Sequence, residues 1–204
     1  MRTRLLVYVL CITASLISFG HAETVFSKSY QYFRISGSTA ADLDAELSRR
    51  GPKASGSELR HPGATQMKFS GSYKYQELRN GRCKVRSANI KLHTKLILPR
   101  WSNRGGATQD VALIWDTLSR DIKRHEERHA EIARQYARKL EKSLIALYPR
   151  KSCDEMEAIA NKESEKILAQ HDKAQQNFDR TESASFDRRM NRMLRFKIQK
   201  MNEK

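Results

Sequence analysis

Beyond its N-terminus the sequence has no long apolar run, and it is poor in acidic residues relative to basic ones. The absence of apolar runs excludes a protein that crosses a membrane several times. Seven Phe and seven Tyr, spread along 204 residues, argue against a fibre or a low-complexity polymer. The 23 Asp and Glu against 39 Lys and Arg give a net charge of +16. This surplus predicts attraction to anionic partners, such as nucleic acid, anionic lipid or acidic polysaccharide.

The first 22 residues have the features of a secretory signal peptide. Arg2 and Arg4 precede an apolar stretch over residues 5–19, and small residues stand at the −3 and −1 positions of a cleavage site after Ala22. The alternative is an uncleaved membrane anchor, but the apolar stretch is shorter than the ~20 residues that a spanning helix needs. We therefore expect a periplasmic or secreted protein.

Cysteine is scarce, and its positions bear on the compartment. Cys11 lies in the apolar stretch, so cleavage would leave Cys83 and Cys153, an even number in an exported chain. A bridge between them would close a loop of about 71 residues and contribute roughly 4 kcal/mol in the chain-entropy treatment. A disulfide is the favoured interpretation, and two free buried thiols are the alternative.

Strand-like segments come first and helical segments later, which is typical of an α+β domain. The strand-like segments are rich in β-branched and aromatic residues and cover residues 25–36, 66–78 and 83–98. Asn80-Gly81 is a hairpin signal between the last two. Thr39 begins a short helix that ends at Arg49. We expect N-terminal antiparallel strands with this one short helix.

From about Thr108 the apolar residues recur at spacings of three to four, which predicts a long amphipathic helix stopped by Pro149. A second long helix is predicted over residues 154–178. The segment from Asp187 onward is basic and has the spacing of a third amphipathic helix. The expected organisation is a signal peptide over 1–22, a single α+β domain over 23–182, and a basic amphipathic or disordered tail over 183–204.

The long helix contains an H-E-x-x-H motif over residues 125–129. His125 and His129 project from one helical face and can hold one metal ion, while Glu126 can act as general base toward a metal-bound water. Both His lie on the apolar stripe, whereas Glu127 and Arg128 point away. The alternatives are a pair of hydrogen-bonded core histidines, or a structural zinc without catalysis.

A catalytic zinc usually has three protein ligands and an open fourth position. Ile132 and Gln135 exclude the metzincin subclass, which requires Gly and His there. His171 lies on the apolar stripe of the second long helix and is the predicted third ligand, with Glu163 as the alternative. Three nearby side chains are candidates to orient the imidazoles through hydrogen bonds: Asp172, Gln175 and Asp179.

A series of landmarks in sequence order points to a known family. They are Tyr32-Phe-Arg-Ile-Ser-Gly37, Cys83-Lys-Val85, Leu98-Pro99-Arg-Trp101, the His125–His129 motif, Cys153 and the segment from His171 to Asp179. Over most of residues 30–180 the chain resembles the bacterial family called domain of unknown function 922, whose members are predicted to be secreted zinc-dependent proteases. The resemblance implies a zinc site, a Cys83–Cys153 bridge and peptidase activity. Relatives often end this region with Tyr-Asp…Thr…His-Gly, whereas here Phe178-Asp179-Arg180-Thr181 is followed by Glu182-Ser183-Ala184.

Two functions follow as hypotheses. In the first, a secreted or periplasmic zinc metallopeptidase, His125, His129 and His171 hold zinc and Glu126 takes a proton from the attacking water. Its partner would be a peptide or protein substrate. In the second, a non-catalytic envelope-associated protein, a structural zinc ties two helices together and the basic surface binds anionic lipid or a cell-envelope polymer. Export and the absence of a recognition motif argue against nucleic acid.

Overall fold

The computed structural model of the chain describes residues 24–53 and 59–203. The predicted signal peptide lies outside these residues. The described ranges contain a three-stranded sheet and three α-helices, so the predicted α+β class is confirmed. Within the same ranges, no helix is both long and apolar enough to cross a membrane.

The sheet has the strand order β1-β3-β2, with β1 over Val25–Ile35, β2 over Ala64–Glu77 and β3 over Cys83–Trp101. β2 and β3 form the predicted antiparallel hairpin. Its turn depends on Gly81, whose φ of +75° is a conformation that glycine adopts without strain.

The expectation that all N-terminal strands run antiparallel is wrong for β1, which pairs with β3 in parallel. β1 ends with Ile35 beside Trp101, and β2 starts with Ala64 beside Ile97, near the same end of the sheet. The chain between them therefore crosses to the other side of β3 without traversing the length of the sheet. β2 therefore runs in the opposite direction to β1. β3 follows β2 through the hairpin turn and so runs parallel to β1.

The connection between β1 and β2 contains helix α1, over Ala40–Arg50. Thr39 caps it as predicted: its hydroxyl accepts from the Asp42 backbone N–H, and the Asp42 carboxylate accepts from the Thr39 N–H. Leu43 and Leu47 are its buried residues and belong to one apolar cluster at the end of the sheet. The cap and these two side chains hold α1 beside the ends of β1 and β3.

Two long antiparallel helices form the second layer, α2 over Gln109–Ile145 and α3 over Cys153–Asn202. Their apolar stripes pack with the sheet in a main core that includes Leu92, Ala137 and Ile167. The segment expected to form a separate basic tail continues α3 without a break, because no Gly or Pro interrupts the chain from 153 to 202.

The predicted disulfide between Cys83 and Cys153 is confirmed. It joins the first residue of β3 to the first residue of α3, with the two Cα atoms 5.0 Å apart. Next to it, the backbone groups of Cys83 and Arg150 exchange two hydrogen bonds of 2.9 and 2.8 Å. The bridge thus fixes the start of α3 against the sheet. Such a bridge is typical of proteins outside the reducing cytoplasm.

Candidate metal centre

His125 and His129 of α2 face Asp179 of α3 where the two helices pass each other. The two Nε2 atoms are 3.0 Å apart, and Asp179 Oδ1 lies 3.3 Å from His125 Nε2 and 2.9 Å from His129 Nε2. Among the residues that the structure describes, these three form a cluster whose candidate ligand atoms all lie within 4.8 Å of one another. α2 thus supplies two nitrogen donors and α3 an oxygen donor.

This donor set fits a first-row divalent cation. Tetrahedral zinc with bonds of about 2.0–2.1 Å requires donor atoms about 3.3 Å apart. The measured separations of 2.9–3.3 Å are close to that requirement. Two imidazole nitrogens and one carboxylate oxygen also form a donor set used at catalytic zinc sites. His125, His129 and Asp179 can therefore hold zinc with limited adjustment.

The cluster is open to solvent on one side. The Asp179 side chain is 52% exposed and the His125 side chain 26%, whereas the His129 side chain is only 11% exposed. Structural zinc sites are usually closed by four protein ligands, and catalytic sites keep a position free. Three donors with one exposed side leave room for a water or substrate oxygen.

Phe178 fixes the orientation of both imidazoles. Its ring stacks on His125 at 4.9 Å between centroids and meets the edge of the His129 ring at 5.0 Å. Because Phe178 immediately precedes Asp179 on α3, the same turn of helix supplies a candidate ligand and the aromatic ring that packs against both imidazoles.

Gln175 determines which nitrogen of His129 faces the cluster. Its Oε1 lies 2.7 Å from His129 Nδ1 and can only accept, so His129 carries a proton on Nδ1, and Nε2 is the nitrogen that faces the cluster. The Gln175 amide nitrogen donates to the His129 backbone carbonyl at 3.1 Å, and His171 Nε2 lies 2.9 Å from the same amide nitrogen. Gln175 thus makes the contact with His129 that its predicted orienting role requires.

The structure does not bring the predicted third ligand, His171, into the cluster. Its Nε2 accepts from Gln175, and its Nδ1 lies 3.0 Å from Asp172. Its ring is buried and packs edge-on against Phe69 and Tyr136. Since both ring nitrogens are engaged, His171 supports the cluster through Gln175 instead of joining it.

The register of α2 against α3 explains why Asp179, and not His171, lies in the cluster. His171, Gln175 and Asp179 follow one another at intervals of four and share a face of α3. Two helical turns separate His171 from Asp179. Where α3 crosses α2, Asp179 is the residue that lies opposite the two His of the H-E-x-x-H motif. The alternative ligand Glu163 lies still further away and pairs with Lys166 at 3.0 Å. Asp172, another predicted orienting residue, contacts His171.

Glu126 is buried beside the cluster, at 4% exposure, and faces the start of β2. The Thr65 hydroxyl lies 2.8 Å from its Oε2 and 2.9 Å from its backbone carbonyl. Gly63 leaves it room, because a Cβ at that position would lie 2.9 Å from Glu126 Oε1. Neither contact could be predicted from the sequence, since both join residues about 60 positions apart.

Burial raises the pKa of the Glu126 carboxyl above its ordinary value, although the Thr65 hydrogen bond and the charges of the two His act in the opposite direction. For Asp179, burial also acts upward, but hydrogen bonds from His125 and His129 hold its pKa well below the usual range. The two carboxyl groups of the site therefore differ in proton affinity. Glu126 binds a proton more readily than an exposed Glu does. Asp179 stays deprotonated, so its carboxylate oxygen can donate an electron pair to a cation.

A charged network borders the cluster on the side of His125. Glu182 Oε2 lies 3.8 Å from His125 Nδ1 and also forms an ion pair with Arg124. Arg189 lies 3.3 Å from the same Glu182 oxygen and binds the buried Asp121 through two nitrogens, each at 3.0 Å. This network fixes the C-terminal part of α3 against α2 next to the candidate metal centre.

Comparison with known proteins identifies the family of the chain. Residues 30–186, more than half of the chain, match the family described as bacterial protein of unknown function (DUF922), and the chain belongs to that family. No curated protein and no solved structure matches the chain.

Proposed function

We propose that the protein is a zinc-dependent hydrolase of peptide bonds. The observation that supports this best is the solvent-open cluster of His125, His129 and Asp179 beside the buried carboxyl of Glu126. A purely structural zinc would be expected in a closed site with four protein donors, which the 52% exposure of Asp179 argues against.

Each side chain has a distinct role in this proposal. The two His and Asp179 hold the cation, which when bound supplies the Lewis acidity that polarises a carbonyl group and makes water more acidic. Glu126 accepts the proton of the attacking water and passes it to the departing amine.

The immediate surroundings keep these groups in position. Gln175 holds the His129 proton on Nδ1, so that Nε2 remains available as a donor. The Thr65 hydroxyl binds one oxygen of Glu126 and fixes the carboxylate against β2. Both contacts are preformed, which reduces the reorganisation that the reaction requires.

We place this activity outside the cytoplasm, in the periplasm or the secreted fraction. The Cys83–Cys153 disulfide supports this location, since such bridges persist in oxidising compartments. The predicted signal peptide over residues 1–22 supports it independently.

The test combines metal analysis with peptide hydrolysis. Protein purified without chelator should carry about one zinc per chain and cleave a mixed library of quenched fluorescent peptides. Glu126→Gln should keep the metal and reduce turnover by at least a factor of ~100. Glu131→Gln, on the exposed face of the same helix, is the matched control and should change neither.

Two outcomes would overturn the proposal. The first is folded, oxidised protein that holds no metal, and the second is Glu126→Gln protein that retains full activity. Stoichiometric zinc without hydrolysis of any library peptide would instead support a structural zinc.

A further inference from the structure

The face of the sheet turned away from α2 and α3 is basic and carries no carboxylate among its exposed residues. In the strand register Lys95 lies opposite Gln66, His93 opposite Lys68, and Lys91 opposite Ser70. Directly opposed residues share a face of the sheet, so these side chains project together. The alternate residues of β3, such as Leu92 and Leu96, are buried against the helices.

We call this surface the basic sheet face and define it by five residues. These are Lys68, Lys74, Lys91, His93 and Lys95. It extends along β3 from Ser87, which lies opposite Lys74, to Lys95. The eight intervals between successive residues from Ser87 to Lys95 correspond to about 26 Å. At its far end Ile35 and Trp101 are buried in the cluster that includes α1, which closes the surface there.

The charge of the basic sheet face is not neutralised by the chain itself. Within residues 24–53 and 59–203, none of its four lysines forms an ion pair, whereas Lys28, Arg104 and Arg189 each have a carboxylate partner. The three strands together hold nine Lys and Arg and a single acidic residue, Glu77, at the end of β2. Lys68 lies diagonally across the strand pair from Lys91 and Lys95, at a separation of roughly 7–8 Å where like charges repel. An anionic ligand would relieve this repulsion.

The side chains between the lysines indicate which anion fits. They are short hydroxyl and amide groups: Ser27, Ser29, Gln66, Ser70, Ser72 and Asn89. From Gln66↔Lys95 to Lys74↔Ser87 this face carries no Phe, Tyr or Trp, and the His93 ring is hydrogen-bonded to Ser27, so bases of a nucleic acid would find no row of stacking side chains. Val25, beside Lys91, is the one exposed large apolar side chain of this stretch, and a single valine does not make an apolar surface that could enter a lipid layer.

We propose that the basic sheet face binds an extended acidic polysaccharide. The lysines would pair with its carboxylate or sulfate groups, and the serine and amide side chains would hydrogen-bond its hydroxyl groups. The surface lies on the opposite side of the sheet from the candidate metal centre. A polymer held there would not block the centre, and this proposal holds whether or not the centre is catalytic.

The test compares two triple variants of the full chain that lose the same net charge. Lys68→Gln/Lys91→Gln/Lys95→Gln alters the basic sheet face. The control, Lys142→Gln/Lys151→Gln/Lys162→Gln, alters exposed lysines beside or within the two long helices. Binding of polygalacturonate is measured by calorimetry near physiological ionic strength, and circular dichroism confirms that both variants fold. The sheet variant should bind about tenfold more weakly than the wild type, and the control should change by less than about twofold.

Equally weakened binding of polygalacturonate by both variants would show that only the overall charge matters, and would overturn the proposal. Absence of binding by the wild type would also overturn it. The same measurement with phosphatidylglycerol vesicles and with a single-stranded oligonucleotide tests the other polyanions. Tighter binding of either one through the same three lysines would also overturn the assignment to a polysaccharide.

Discussion

The side-chain carbonyl of Gln175 lies 2.7 Å from Nδ1 of His129, across the interface between α3 and α2. This contact determines which nitrogen of the imidazole is protonated and which one is free to bind a cation. It also connects His171 to the cluster, because the Gln175 amide group contacts the Nε2 of that residue at 2.9 Å. His171 contacts none of the candidate ligand atoms, but through Gln175 it supports the orientation of the His129 ring.

Removing the Gln175 carbonyl should weaken zinc binding without removing the site. Gln175→Met keeps the volume of the side chain but offers His129 Nδ1 no comparable acceptor. We expect a loss of zinc affinity of about 10- to 100-fold, measured by competition with a chromophoric chelator. Gln175→Glu, which keeps an acceptor oxygen, should lose less. Equal affinities of Gln175→Met and wild type would show that the contact does not orient His129.

Asp179 and His171 can be distinguished by the same measurement. Asp179→Ala removes a donor atom of the cluster, so zinc should no longer copurify in stoichiometric amount. His171→Asn removes only the indirect support through Gln175, and stoichiometric zinc should remain with reduced affinity. The opposite ranking, with zinc lost from His171→Asn and kept by Asp179→Ala, would make His171 the third ligand, as the sequence suggested.

The space beside Glu126 provides a third prediction. A Cβ at Gly63 would lie 2.8 Å from Ile122 Cγ2 and 2.9 Å from Glu126 Oε1, so Gly63→Ala must displace one of them. We expect a loss of stability of about 1–3 kcal/mol together with reduced peptide hydrolysis, while zinc is retained.

Gly105→Ala is the matched control, since a Cβ there has no atom within 4 Å. It should leave melting temperature and hydrolysis unchanged. Wild-type activity in Gly63→Ala protein would mean that the position of Glu126 does not limit the reaction.

Local signals in the sequence predicted local structure well. The Thr39 cap needs only a partner three residues away, and the Asn80-Gly81 turn needs only adjacent residues, so both were predicted from short motifs. The His125–Glu126–His129 arrangement belongs to the same class, because one helix sets the spacing. The direction of β1 depends instead on a connection of nearly thirty residues, and no short motif determines it.

Residues that meet across α2 and α3 were harder to predict. The amphipathic pattern placed His171, Gln175 and Asp179 on one face of α3, but it did not determine which of them lies opposite His125. That choice depends on the register of two antiparallel helices, which the packing of their whole length determines. The same limit applies to Thr65 and Glu126, which meet only because β2 packs against α2.

The buried ion pair between Asp121 and Arg189 should contribute to stability in a pH-dependent way. Burial acts to raise the pKa of Asp121, but hydrogen bonds from Arg189 and Arg124 lower it below the ordinary value of 3.8. A carboxyl group whose pKa is depressed by folding stabilises the protein above its unfolded pKa, and loses this contribution as pH falls through the folded pKa. Asp121→Asn should therefore lower the free energy of unfolding by about 3 kcal/mol at pH 7.

The difference in the free energy of unfolding between Asp121→Asn and wild type should decrease progressively as the pH falls below about 3.8. Urea unfolding at pH 7, 4 and 3 measures this difference. Asp116→Asn is the control, because Asp116 and its partner Arg104 are both more than one-third exposed. It should cost less than about 1 kcal/mol at pH 7. A cost for Asp121→Asn that is equally small, or that does not change with pH, would show that the pair does not hold the C-terminal part of α3 against α2.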